Sequence, residues 1–290
     1  MNKATLSLLL LPLTLYAQSS DSINHIQKKR LRAFVITSGV AYTAALVGLS
    51  ELWYSNSPSQ PFQFFNDNKE WKQVDKVGHA YSAYQLSATT AQALRWCGLS
   101  TRKSDIIGAI SGFAMLVPIE ILDGTSQAYG ASPGDLIADA VGAGLYLGQS
   151  LLWKEQRILP KFSFHRTSYP PLNPNLLGNG MPGEIIKDYN GQTYWLSVDM
   201  DKFMKFPCWL NLAAGYGAEG MVNAEDQQTI DAGYPAPYRQ FYLALDFDLT
   251  CIKTRSKAVK ALIFFANMIK IPAPTVEFST KGVRFHAFYF

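Results

Sequence analysis

The residues able to do chemistry lie where this sequence is otherwise least polar. They are Asp75-Lys76-Val77-Gly78-His79, then Glu120-Ile121-Leu122-Asp123-Gly124, then Ser132-Pro133-Gly134-Asp135 followed by Asp139. Spacings of four (Asp75 to His79, Asp135 to Asp139) and of three (Glu120 to Asp123) place each pair on one face of a helix. Packing of the helices through these ends would bring five carboxylates, the His79 imidazole and the Lys76 ammonium together. Charges buried without partners are costly, so they must pair with one another, hold a cation or face water.

Three chemistries fit that set. In the first, Lys76 and His79 neutralise part of Asp75, Glu120, Asp123, Asp135 and Asp139, the remaining carboxylates cap helix N-termini, and the network fixes helix register. In the second, His79 with Glu120, Asp123, Asp135 or Asp139 holds a divalent metal, since helical bundles build metal sites from inward carboxylates and imidazoles; the usual Glu-x-x-His pair is missing. In the third, His79 is a base oriented by Asp75 or Glu120, acting on a lipid-linked or cell-envelope substrate. No Ser or Cys nucleophile motif and no phosphate-binding glycine loop accompanies them. A structural or interaction role is the leading expectation, and a metal-dependent or acid/base enzyme is the alternative. His25, His165 and His286 lack carboxylates at ligand spacing and read as surface or packed residues. Gly215-Tyr216-Gly217-Ala218-Glu219-Gly220 precedes no good helix, so it reads as a bulged strand or tight turn.

The elements that must position these residues change character along the chain. A helix capped by Asp21 or Ser22 carries Lys28, Lys29, Arg30 and Arg32, then runs uncharged from Ala33 to Ser50, just long enough to cross a membrane. Thr37, Ser38, Gly39, Thr43 and Gly48 dilute it enough for a buried or surface-lying helix to compete. Ser55 to Asn68 reads as a loop with aromatic anchors. Further helices are expected over about Gln73 to Cys97, Ser104 to Leu122 and Pro133 to Lys154, with Ser104 an N-cap, Pro118 a kink ahead of Glu120, and Pro133 in a first turn. Gly108, Gly112, Gly142, Ala143, Gly144 and Gly148 suit close helix approach.

Beyond Arg157 the prolines and glycines of residues 169–183 mark irregular chain, and the period then becomes that of strands. Glu184 to Tyr189 and Gln192 to Val198 flank Asn190-Gly191 as a hairpin. Leu210 to Val222, Phe241 to Leu249 and Val283 to Phe290 are further strands, the last alternating Val283, Phe285, Ala287 and Tyr289 against Arg284, His286, Phe288 and Phe290. Thr254 to Ile271 reads as a helix with Lys253, Arg255, Lys257 and Lys260 at one end. The expected fold class is α+β: an N-terminal hydrophobic helical bundle, then a C-terminal antiparallel sheet or partial barrel. Its divisions are a signal peptide at 1–17, a helical region at 18–157 and a β-rich region at 158–290. Five or six strands are too few for a full eight-stranded barrel.

Residues 1–17 set the compartment: Lys3, an apolar run from Leu6 to Leu15, then Ala17, the pattern of a secretory signal peptide with no lipoprotein Cys after the cleavage point. The protein is expected to be exported to the periplasm or outer membrane and to associate with a membrane. Of its cysteines, Cys97, Cys208 and Cys251, the second and third are the pair to test for a disulfide. Across 290 residues, 48% are apolar and 17% charged, which excludes a disordered chain. The net charge of +4 is not gathered into one tract, so membrane lipid or another envelope protein is the expected partner and nucleic acid is not.

The motifs D-K-V-G-H at 75–79, E-I-L-D-G at 120–124 and S-P-G-D-L-I-A-D-A-V-G at 132–142 resemble the YfiM-like family of predicted periplasmic lipoproteins, a domain family of unknown function. They are distantly similar to the VanZ-like membrane proteins, although Asp123 and Asp139 stand where those proteins tend to carry Gln and Asn. The stretches K-D-Y-N-G-Q-T-Y-W at 187–195 and G-Y-G-A-E-G-M at 215–221 resemble the extension of longer YfiM-like members. The resemblance implies an envelope location and a helical scaffold, and brings no established reaction.

Overall fold

The computed structural model describes residues 26–54 and 57–290. The expected signal peptide at 1–17, the expected Asp21 or Ser22 cap and His25 lie outside the described residues. Helix α1 (Lys28–Tyr54) has its cations in the first turns and no buried residue. Val35, Ile36, Val40 and Val47 stand exposed along it. Among the described helices, α1, the stretch Thr101–Gly124 and Pro133–Trp153 are long and apolar enough to cross a membrane.

Helix α2 (Val74–Trp96) is the axis of the helical half, packed between α3 (Thr101–Ala114) and α5 (Pro133–Trp153). Small residues permit this approach. A Cβ on Gly112 would lie 2.5 Å from the Ala83 carbonyl oxygen, and one on Gly142 would lie 2.0 Å from that of Ala80. Gly144 and Gly148, by contrast, face open space and serve no packing purpose. Ser100, not Ser104, sits at the N-cap position of α3, and Ser104 is buried within that helix. The expected kink falls at Met115–Leu116, which keep helical backbone angles between α3 and the next helix. Pro118 therefore lies in the first turn of α4 (Val117–Gly124), where its missing N–H costs nothing. Ser132 caps α5 as expected, its Oγ accepting from the Asp135 N–H.

The second half begins with β1 (Ile158–Phe164), then α6 (Pro174–Leu177) and α7 (Gly180–Lys187). The expected strand over Glu184 to Tyr189 is thus corrected to a helix end. Its face carries Glu184, clamped in two hydrogen bonds by the Arg166 guanidinium at 2.6 and 2.7 Å, and Lys187. β2 (Gln192–Val198), β3 (Leu210–Glu219), α8 (Asp226–Asp231), β4 (Tyr238–Phe247), α9 (Lys257–Ala266), β5 (Ala273–Ser279) and β6 (Gly282–Tyr289) follow. The strands form one antiparallel sheet in the order β1-β2-β3-β4-β5-β6, an open meander and not a closed barrel. A register shift between Ala273 and Thr275 breaks the simple alternation of β6. Tyr289 consequently stacks edge-on against His286 rather than sharing a face with Val283.

The sheet has its polarity inverted. Its covered face buries Lys161, Ser197, Asn211, Asp246, Thr275 and Glu277 around Trp195 and Tyr242. Lys161 Nζ lies 2.7 Å from Asp246 Oδ2 with both side chains wholly buried. The other face exposes Leu212, Phe241, Leu243, Leu245, Phe278 and Phe285. Cys208 and Cys251 are free thiols, although the Cys251 Sγ lies 2.7 Å from the Cys208 carbonyl oxygen.

Candidate functional site

The turn that leads into α2 aims its first residues at the other helices. Trp71, Lys72 and Gln73 all have positive φ (47°, 51° and 67°), a left-handed turn costing roughly 1 kcal/mol per residue. The sheet half holds it there: the Trp71 N–H donates to the Ala224 carbonyl at 2.8 Å, the Tyr216 hydroxyl donates to the Lys72 carbonyl, and Lys72 pairs with Asp226. Val74, fully buried, packs with Ala218 and Met221. Asp75, Lys76 and His79 are therefore positioned by contacts from both halves of the molecule.

Around them the expected residues converge. Lys76 Nζ lies 2.5 Å from Asp67 Oδ2, 2.8 Å from Asp135 Oδ1 and 3.8 Å from Asp75 Oδ2. His79 Nδ1 lies 3.0 Å from Asp139 Oδ1, which fixes the ring from behind. Its Nε2 faces Glu120 Oε1 at 3.9 Å, too far for a hydrogen bond. Glu120 Oε2 accepts from the Ser132 N–H at 2.8 Å, which ties α4 to the start of α5. Asp123 sits to one side and accepts from the Tyr54 hydroxyl of α1 at 2.7 Å. Ligand atoms of Asp75, His79 and Asp135 all lie within 4.8 Å of one another, the spacing of groups that share one ion.

The charges do not balance. Asp67, Asp75, Glu120, Asp123, Asp135 and Asp139 face the two cations Lys76 and His79. Burial alone would lower the His79 imidazole, but the hydrogen bond to Asp139 and the charges of Asp75 and Asp135 outweigh it and raise it to about 10. Even with His79 charged, acidic groups outnumber the cations, and burial pushes Glu120 up to about 8, Asp135 up to about 7 and Asp123 up to about 6, so protons take up part of the surplus. Two of their oxygens, Glu120 Oε1 and Asp139 Oδ2, are buried without any hydrogen-bond partner, on residues 3% and 0% exposed. Burial, and then Asp67, Glu225 and Asp75, push the Glu70 carboxyl up to about 7 at the rim of the same site.

The cluster opens into a groove of about 810 Å³ between the helical half and the sheet. Asp67, Glu70, Asp75, Asp123, Asp135 and His79 form its polar end, while Trp53, Phe65, Trp71, Tyr81, Leu116 and Phe162 give it apolar walls. Asp67, Glu70, Tyr54 and Tyr189 were not legible as site residues. Tyr189 donates to Asp75 Oδ1 at 2.5 Å from 114 positions away, and no spacing rule reaches that far. Asp67 carried the only available hint, standing nine residues before Lys76 in a loop that must fold back. His165 and His286 lie in the sheet half, His286 paired with Glu277 at 2.9 Å, as packed histidines.

Residues 62–149, which span α2 to α5 and the whole cluster, match the model of a family described as "Predicted periplasmic lipoprotein (DUF2279)". That description agrees with the exported, membrane-associated location in the periplasm or at the outer membrane expected from the sequence. No curated protein and no solved structure matches the chain.

Proposed function

We propose that this envelope protein holds one divalent cation between Asp75, His79 and Asp135, at the polar end of a groove shaped for an amphiphile. The observation that carries the reading is the convergence of one ligand atom each from Asp75, His79 and Asp135 within 4.8 Å of one another, beside two further buried carboxylate oxygens, Glu120 Oε1 and Asp139 Oδ2, that have no donor. Each such unpaired group costs roughly 1–3 kcal/mol, a cost that a nearby cation would offset. The Asp139–His79 contact supports metal binding further: ligating histidines commonly donate their other N–H to a carboxylate, which orients the ring and raises its basicity. A cation entering the site displaces the proton from Nε2. Imidazole with two carboxylates suits Zn²⁺. The finer likeness to YfiM-like and VanZ-like proteins belongs to this reading, because the Asp-Lys, His, Glu and Asp spacing they share is the spacing that builds the cluster.

A second reading, metal-assisted or acid/base hydrolysis of a lipid-linked envelope substrate, is favoured by one observation: the same groove joins the acidic end to apolar walls. Zn²⁺ titration of the full chain in detergent by calorimetry tests the first reading. One site per chain is expected, lost in His79→Ala and Asp75→Asn while the circular dichroism spectrum is kept. No heat above that of His79→Ala would overturn it.

A further inference from the structure

The sheet's outer face is covered by α2 over Phe162 and Tyr194 and carries Arg239 beside Tyr216 at one end, but over β4, β5 and β6 it is an uncovered apolar surface. Cross-strand partners place Leu196, Ala214, Leu243, Val276 and Phe285 in one row. Tyr216, Phe241, Phe278 and Val283 form the row on one side, and Val198, Leu212 and Leu245 the row on the other. Leu243, Phe241, Phe278, Val283 and Phe285 are between 44% and 70% exposed, while the opposite face buries Lys161, Asp246 and Glu277. An antiparallel sheet with one face in water alternates the other way, polar out and apolar in. This arrangement therefore fits an apolar medium outside.

The rim of this face indicates which medium. Leu210 pairs with Phe247, so the start of β3 and the end of β4 lie at the same end of the sheet. Lys202, paired with Asp201 at 3.8 Å, and Lys205 lead into that end beside Asp199 and Asp248, and Lys253, Arg255, Lys257 and Lys260 follow from it. Trp209 stacks on Phe247 there, with Phe203, Met204 and Ile252 exposed nearby. Apolar rows bounded by cations and a Trp match acyl chains bounded by anionic headgroups. We infer that the face built by Leu243, Phe241, Phe278 and Phe285 seats on the hydrocarbon boundary of an anionic lipid leaflet, with the basic end among the phosphates. β6 is an edge strand, and unpaired backbone groups deep in hydrocarbon cost several kcal/mol each. The seating is accordingly shallow, with that edge at headgroup depth. It stands independently of the cation site.

The test uses the full chain with Cys97, Cys208 and Cys251 replaced by Ser, and a single new thiol from Leu243→Cys, Phe285→Cys or, on exposed α8, Gln227→Cys. Each is labelled with a polarity-sensitive fluorophore and reconstituted into vesicles of phosphatidylcholine and phosphatidylglycerol, with and without bromine on the acyl chains. Blue-shifted emission at 243 and 285, mostly lost with brominated lipid, and no loss at 227 are expected. Emission at 243 and 285 that ignores the bromine overturns the inference. Disulfide cross-links between copies at those positions overturn it as well, because they assign the face to a second copy. Should the thiol-free chain not fold, hydroxyl-radical footprinting of the native chain decides. Leu243 and Phe285 are expected to be protected in vesicles, and their oxidation there would refute the seating.

Discussion

Both halves of this molecule bury charge, and they treat it in opposite ways. Inside the sheet, Lys161 meets Asp246 at 2.7 Å, donates to the Phe247 carbonyl at 2.8 Å and reaches Asn267 Oδ1 at 3.1 Å, so all its protons are used, with a second buried cation, Lys270, facing the same carboxylate. Among the helices, Lys76 and His79 face a surplus of carboxylates beside a groove. The first arrangement has cations enough for its carboxylate, whereas the second has more acidic groups than cations and opens to a groove, which is the difference on which the proposed cation site rests.

The largest effect should come from breaking the buried pair in the sheet. Lys161→Met strands Asp246 in a dry interior and should cost about 3–5 kcal/mol in chemical denaturation, while pairing it with Asp246→Leu should restore most of that. Zn²⁺ affinity of any variant that still folds should not change. His79→Ala should weaken Zn²⁺ by at least about 100-fold, the loss of one of three ligands, read by calorimetric titration, and should also lower the unfolding midpoint, because buried Asp139 loses its partner. Asp139→Asn keeps the shape but weakens the support behind the ring, and a loss of about 10- to 100-fold is expected in the same titration.

The smallest effect belongs to Glu70. Its carboxyl, normally near 4.5, is raised to about 7 in the folded protein. The folded state therefore holds more protons than the unfolded one between those values, and stability falls as pH rises from 4.5 through 7. Glu70→Gln should be neutral at pH 4 and stabilise by on the order of 1 kcal/mol at pH 8, checked by thermal unfolding at both values. Equal behaviour at the two values would mean that the acidic rim is fully solvated.

How much of this was legible follows from the range over which each rule acts. Helical spacing tied Asp75 to His79 and Asp135 to Asp139, and Ser132-Pro133 marked the start of α5 correctly, because both signals are local. Pro118 predicts a kink just ahead of Glu120, and the kink lies earlier, at Met115–Leu116, because proline is accommodated in the first turn of the segment that follows. Two strands were hidden by proline: Pro160 lies in edge strand β1, where a missing donor is tolerated, and Pro274 lies at the register shift of β5. The stretch from Glu184 became helix because its ion pair with Arg166 and the burial of Gly183 and Lys187 outweighed a weak alternation. Tyr54 and Tyr189 could not be assigned to the site at all, since tertiary contact alone brings a helix of one half and a loop of the other to Asp123 and Asp75.

Crystals of the full chain soaked in Zn²⁺ and measured at the zinc absorption edge test the central claim most directly. An anomalous peak within bonding distance of His79 Nε2 and of one oxygen each from Asp75 and Asp135 is predicted. No peak there, with the Lys76 ammonium filling the space between those carboxylates, would contradict it.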